Sequence, residues 1–264
     1  MSANLSNSGF ISASNEARRL VTNPATLSDD LGSLFPPGAV AAELREPGDP
    51  KLLLPAEAMY VVRAVPKRVQ EFAAGRLCAR RVLAEFGIVD FAVRVADDRQ
   101  PVWPGSMVGS ITHTAGYGAA VVAERRSLAA VGLDSEVVGD VKAELWPRVC
   151  VPVESAWIES LPASEQPAAV TLIFSAKEAF YKCQFALVRE RLNFHDVRVE
   201  AAPWGASSGA FRIQPTRRLA VCARAAPPLQ GRYRFHQTFV TAGMALVAPV
   251  NAAAADAAVE ESPQ

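Results

Sequence analysis

The sequence predicts an α+β fold, and three observations carry that prediction. Two long segments show helical apolar spacing, the runs around them are short, β-prone and broken by glycine and proline, and no regular βαβ rhythm links them. With 264 residues, half of them hydrophobic, the chain can bury a sizeable core as one large domain or two small ones.

The first helix is expected from about Lys67 to Phe86. Pro66 suits its entrance and Gly87 its exit, and Val69, Phe72, Ala73, Leu77, Leu83 and Ala84 form one stripe. A second is expected from about Leu172 to Arg189, apolar almost all round, as suits a helix buried against a sheet; Pro167 limits its backward extension. Between them, GAAVVAE and AAVGLDSEVV read as strands of an antiparallel sheet, with AGYG as a connecting turn. AFRIQP, RLAVCARA and RYRFHQTFVTAGMALVA read as later strands. No fixed-period repeat of the solenoid or propeller kind is present, so any likeness between the halves is expected to be structural only. Residues 1–25 and the Ala-rich, acidic 250–264 are expected to be disordered ends.

Composition narrows the function classes. Lys plus Arg and Asp plus Glu both number 27, so no overall positive field exists to hold nucleic acid or an anionic membrane. Cys78, Cys150, Cys183 and Cys222 form no CxxC pair and have no histidine at ligand spacing, which speaks against zinc and for reduced thiols. The first residues lack a signal-peptide pattern, and no stretch approaches the roughly 20 apolar residues of a membrane span. A soluble cytoplasmic protein is the expectation.

Four features carry chemistry. Arg76 and Arg80, four residues apart, fall within the apolar stripe of the first helix and therefore need an anion, either an internal carboxylate or a phosphate. In AAVGLDSEVV, alternation puts Val131 and Leu133 on one face and Asp134 and Glu136 on the other, about 7 Å apart. Such a pair is either a solvated face or a Mg²⁺ site completed by phosphates and water. In FSAKEAFYK, helical spacing sets Glu178 among Phe174, Tyr181 and Phe185 with Lys177 and Lys182 beside it. These charges must pair with each other, as Glu178 and Lys182 could at i,i+4, or with a metal or charged ligand. In GSITHTAGYG, Ser110, Thr112 and His113 precede a glycine turn that lets a ligand approach the backbone. A Mg²⁺-dependent nuclease or phosphatase would also use clustered carboxylates, but would come with a basic surface that this chain lacks.

GSITH, GLDSE and FSAKEAFYK, in that order and at these separations, resemble the three signature motifs of the 4′-phosphopantetheinyl transferases. The segments KRVQEFAAGRLCAR and QPVWPGSMVGS fit as well, so the resemblance spans roughly residues 60 to 190. It implies the larger, monomeric class: two similar α/β halves, expected at 26–126 and 127–249, packed as a pseudo-dimer around coenzyme A. It implies transfer of phosphopantetheine from coenzyme A to a serine of an apo acyl or peptidyl carrier protein, releasing adenosine 3′,5′-bisphosphate. A non-catalytic coenzyme A or carrier-binding module of the same fold is the alternative.

By the same resemblance Asp134, Glu136 and Glu178 are the ligands of Mg²⁺, with Mn²⁺ as the alternative ion. Arg68, Arg76 and Arg80 match positions that grip the 3′-phosphate and its surroundings, and Thr112 and His113 match contacts to ribose or diphosphate. Lys177 and Lys182 match further phosphate contacts. Glu178, Lys182 and His113 are the expected catalytic groups, Glu178 as general base and Lys182 at the leaving oxygen.

Overall fold

A computed structural model describes residues 23–202, 204–225 and 228–247. The two expected disordered ends lie outside these residues, except for Asn23 to Ala25, which are packed: Asn23 Nδ2 donates to Leu77 O at 2.8 Å and Ala25 is buried.

The first half begins with β1 (Thr26–Leu27), α1 (Asp29–Gly32), β2 (Ala39–Leu44) and α2 (Pro55–Ala58). The predicted helix follows as α3 (Pro66–Glu85), opened by Pro66 and followed by Gly87 at φ +73°, where a side chain would be strained. Then come β3 (Met107–Thr114) and β4 (Tyr117–Glu124), joined through the predicted AGYG turn. These strands form one antiparallel sheet in the order β1-β2-β4-β3.

The second half opens with β5 (Leu128–Val137), followed by two short helices not anticipated from the sequence, α4 (Trp146–Val149) and α5 (Pro152–Glu159). Next is α6 (Gln166–Val188). It starts earlier than the expected Leu172 because Pro167 falls within the first turn, where a missing N–H costs nothing. Strands β6 (Val197–Ala202), β7 (Ser208–Pro215), β8 (Gln230–Phe235) and β9 (Phe239–Val247) complete an antiparallel sheet in the order β5-β9-β8-β7-β6. GAAVVAE and AAVGLDSEVV therefore belong to different sheets. RLAVCARA forms a short 3₁₀ turn at Ala220–Ala223 instead of a strand.

Three apolar clusters explain the assembly. One lies between α3 and its sheet, with Leu77, Val82, Leu83, Ala120 and Val122. Another lies between α6 and its sheet, with Leu172, Ile173, Phe180, Phe211 and Tyr233. A third, with Leu34, Phe35, Val121, Leu133 and Phe239, joins the halves. Fully burying each large side chain contributes roughly 1.5–3 kcal/mol. Val131 and Leu133 face this joint, as alternation predicts, which turns Gly132, Asp134 and Glu136 toward α6. Gly132 is required there, because a Cβ would meet Ala179 O at 1.9 Å.

The halves also meet edge to edge. Ser110 Oγ accepts the Leu133 amide at 3.0 Å and Thr112 Oγ1 accepts the Ser135 amide at 2.9 Å, so β3 hydroxyls satisfy the free edge of β5.

The halves share a motif that the sequence reading did not detect. Glu57 Oε2 accepts the Leu54 amide at 3.0 Å, Oε1 accepts the Val93 amide at 3.0 Å, and the same carboxylate pairs with Arg80 of α3. Glu154 Oε2 accepts the Val151 amide at 2.8 Å, Oε1 accepts the Val199 amide at 2.6 Å, and Lys177 of α6 pairs with it at 2.7 Å. Arg80 also donates to Leu52 O and Lys177 to Val149 O. Leu52, Leu54, Pro55, Glu57 and Arg80 stand at one constant offset from Val149, Val151, Pro152, Glu154 and Lys177. Each carboxylate caps a short helix and bolts the following long helix to it.

Candidate functional site

The seam between β3 and β5 gathers the acidic residues. Asp134 is 4 % exposed; its Oδ1 receives Lys182 Nζ at 2.7 Å, and its Oδ2 is buried without a hydrogen-bond partner among the described residues. Lys182 also donates to Leu133 O at 3.0 Å and Ile111 O at 3.5 Å, so its ammonium ties the facing edges of both sheets. The ordinary i,i+4 pair with Glu178 is thus not what Lys182 forms; it is spent on Asp134 and two carbonyls.

Glu136 and Glu178 are half-buried and share the field of Asp134. Burial, then the Asp134 and Glu178 carboxylates against the opposing Lys182, push Glu136 up to about 8. Glu178 is raised by burial and by Asp134, again against Lys182. Among the described residues no three His, Cys, Asp or Glu side chains stand at metal-holding distances, so the acids form a shared field and not a finished cage. The donor set nevertheless suits a hard cation: carboxylate oxygens only, mutually repelling, one of them a buried acceptor that no described residue donates to.

The cationic side comes from α3 and β3. Arg68 Nη1 lies 2.5 Å from His113 Nε2, and Glu71 Oε2 lies 3.7 Å from both Arg68 Nη1 and His113 Nδ1. A guanidinium can only donate, so Nε2 accepts and the imidazole is neutral. Burial and then Arg68 lower the His113 pKa, in agreement with that state. Arg76 is 7 % exposed; Nε donates to Val93 O at 3.0 Å and its guanidinium lies 3.9 Å from the Phe72 ring centre. It has no carboxylate partner among the described residues. Its burial lowers the pKa to about 10, with Glu57 opposing the shift.

Three residues of the expected ligand-binding set are differently engaged. Arg80 pairs with the fully buried Glu57, the internal-carboxylate alternative for that side chain. Lys177 is 2 % exposed and bound to Glu154, Val149 O and Phe194 O, which satisfies all three of its N–H groups inside the core. Thr112 is buried with its hydroxyl on the Ser135 amide. Helical and strand periodicity marks a side chain as inward but does not say which inward partner it meets. The residues the sequence did not single out are Glu57, Glu71 and Glu154. The Pro-x-Glu pairs at Pro55 and Pro152, whose glutamates each stand 23 residues before an inward cation, were the available signal for two of them.

A hollow of about 640 Å³ opens beside Glu178, walled by Arg148, Phe180, Tyr181, Leu192 and Phe194. A larger one, about 910 Å³, is lined by Leu34, Phe35, Arg224 and Arg232 and by none of the candidate site residues. Volume is therefore a poor guide here, and the chemistry marks the smaller hollow. Among the described residues, no helix is long and apolar enough to cross a membrane.

Comparison with known proteins agrees with the motif order. The 4′-phosphopantetheinyl transferase N-terminal domain model matches residues 56–123, and the 4′-phosphopantetheinyl transferase superfamily model matches residues 130–233. The chain is 33% identical over 227 residues to 4′-phosphopantetheinyl transferase Svp of Streptomyces mobaraensis, covering 84% of this chain and 92% of that one. It is 36% identical over 179 residues to 4′-phosphopantetheinyl transferase PptT of Mycobacterium tuberculosis, covering 67% and 74%. It is 39% identical over 120 residues to enterobactin synthase component D of Salmonella typhi, covering 44% and 48%. With the relative from Streptomyces matched over nearly its whole length, the chain belongs to the 4′-phosphopantetheinyl transferase superfamily.

Proposed function

We propose that this chain transfers the 4′-phosphopantetheine group of coenzyme A to a serine hydroxyl of an apo acyl or peptidyl carrier protein, with Asp134, Glu136 and Glu178 holding a divalent ion, Mg²⁺ or Mn²⁺. The observation that carries the metal reading is Asp134 Oδ2, a buried carboxylate oxygen without a donor among the described residues, beside two further acids at the joint of the halves. When bound, the ion supplies neutralisation of pyrophosphate charge.

The chain's own residues supply the rest. Arg68 and Arg76 grip the 3′-phosphate and its surroundings; Arg76 suits this because its guanidinium is inward and unpaired with acid. His113, neutral and held by Arg68, contacts the diphosphate region. Glu178 accepts the serine proton, a task helped by burial that raises its basicity. Lys182, anchored on Asp134 Oδ1, Leu133 O and Ile111 O yet partly exposed, sets its positive charge beside the leaving oxygen of adenosine 3′,5′-bisphosphate. The pantetheine arm runs from the reacting phosphate into the hollow beside Glu178. Arg80, Lys177 and Thr112 serve the framework in this reading.

One chain provides both the cationic and the acidic wall, which supports a monomer; we further infer a cytoplasmic enzyme serving polyketide, nonribosomal-peptide or siderophore carriers. A binding module would need only the cationic wall, and the three acids favour the enzyme. The test is to mix the protein with an apo carrier, coenzyme A and Mg²⁺ and weigh the carrier by intact mass spectrometry. A gain of one phosphopantetheine per carrier is expected, and an unchanged mass would exclude the transfer.

A further inference from the structure

Lys177 and Glu178 are neighbours on α6, about 100° apart round the helix, so whatever fixes the roll of one fixes the direction of the other. Lys177 is held from three sides. Its Nζ donates to Glu154 Oε2 at 2.7 Å, Val149 O at 2.8 Å and Phe194 O at 2.9 Å. Glu154 in turn takes the Val151 and Val199 amides. The end of α4, the start of α5, α6 and the turn leading into β6 therefore converge on one ion pair. Two of these segments, at Pro147–Arg148 and Asn193–Val197, are the walls of the hollow that contains Glu178.

The other half holds a counterpart that separates framework from function. Glu57 and Arg80 make the matching bonds, but the residue after Arg80 is Arg81, paired along the helix with Glu85 at 2.5 Å. Pinning a long helix to the short one before it is common to both pairs. Adjoining a reactive carboxylate, and bracing the walls around it through Phe194 O, belongs to Glu154 and Lys177 alone.

We propose that Glu154 and Lys177 are positioning residues of the transfer reaction, holding Glu178 and both walls of its hollow in the geometry the reacting phosphate requires. This rests on the reading of Glu178 as a participating carboxylate. A displacement of about 1 Å at such a group costs on the order of a hundredfold in rate, so the pair acts on turnover more than on donor binding.

The experiment compares Glu154→Gln, the double variant Glu154→Gln/Lys177→Met, and Glu57→Gln, following kcat and donor KM by carrier mass and foldedness by circular dichroism at the assay temperature. The double variant removes both charges together and leaves neither uncompensated in the core. The Glu154 variants, folded, are expected to lose at least about tenfold in kcat with donor KM moved less than about threefold, while Glu57→Gln keeps kcat within about twofold. A folded double variant with wild-type kcat overturns the proposal. So does Glu57→Gln losing as much turnover, or failure of both Glu154 variants to fold, which would assign the pair to stability alone. Full turnover in Glu178→Gln would instead remove the underlying reading, whereas an inactive Glu178→Gln beside a wild-type-like double variant removes this proposal only.

Discussion

In the N-terminal half the buried Glu57 takes amides from Leu54 and Val93 and a guanidinium from Arg80; in the C-terminal half Glu154 takes amides from Val151 and Val199 and an ammonium from Lys177. Past each bolt the halves diverge. Arg81 and Glu85 form a solvent-side pair on α3, while at the matching positions of α6 the signs are reversed. There Glu178 shares a field with Asp134 and Glu136, and Lys182 bonds Asp134 across the seam. Two copies of one framework thus acquire different chemistry from residues one and five places beyond the bolt. The first half contributes cations from α3, and the second contributes acids from β5 and α6.

The comparison can be broken most forcefully at the bolts. Lys177→Met and Arg80→Met each leave a buried carboxylate unpaired, and each is expected to lower unfolding free energy by about 3–5 kcal/mol. Chemical denaturation checks this, and strongly unequal losses would show that the two pairs are not equivalent frameworks. Next in size is the divergence itself. Glu178→Gln is expected to lower kcat by about 10²–10³-fold, and its positional counterpart Arg81→Gln by less than about twofold. Steady-state kinetics on a carrier decides, and equal effects would end the functional distinction.

A smaller difference tests how tightly each helix sits on its sheet. A Cβ on Gly132 would meet the backbone oxygen of Ala179 at 1.9 Å, whereas one on Gly118 would first meet the Ala74 side chain at 2.7 Å. Gly132→Ala is expected to cost about 1–3 kcal/mol in thermal unfolding and Gly118→Ala less, because the overlap at Gly132 is deeper and falls on a backbone oxygen. The smallest effect probes the cationic wall. Arg76→Met is expected to raise donor KM about tenfold for coenzyme A and little for its 3′-dephospho form, measured with both donors. Equal rises would place Arg76 away from the 3′-phosphate.

Much of this was legible in the residues. The span of α3 followed from Pro66, Gly87 and one apolar stripe, and strand alternation correctly turned Asp134 and Glu136 away from Val131 and Leu133. What periodicity could not supply was the identity of long-range partners. Arg76 and Arg80 are equally inward by spacing, yet one meets a carbonyl and an aromatic ring and the other a carboxylate from a segment 23 residues earlier. Lys177 and Lys182 flank the same glutamate, yet one is sealed in the core and the other reaches the seam. The division into two sheets was also hidden, because the short connection after β4 resembles a hairpin, while the hydroxyls of Ser110 and Thr112 stand in for a strand ladder.

The claim that Asp134, Glu136 and Glu178 serve one ion is tested most directly by titrating the protein with Mn²⁺ in the presence of coenzyme A and following free Mn²⁺ by electron paramagnetic resonance. One ion per chain is expected, with affinity weakened at least about tenfold by each of Asp134→Asn, Glu136→Gln and Glu178→Gln, as removal of one oxygen ligand from a hard-cation site requires. Wild-type Mn²⁺ affinity in all three variants would contradict the account.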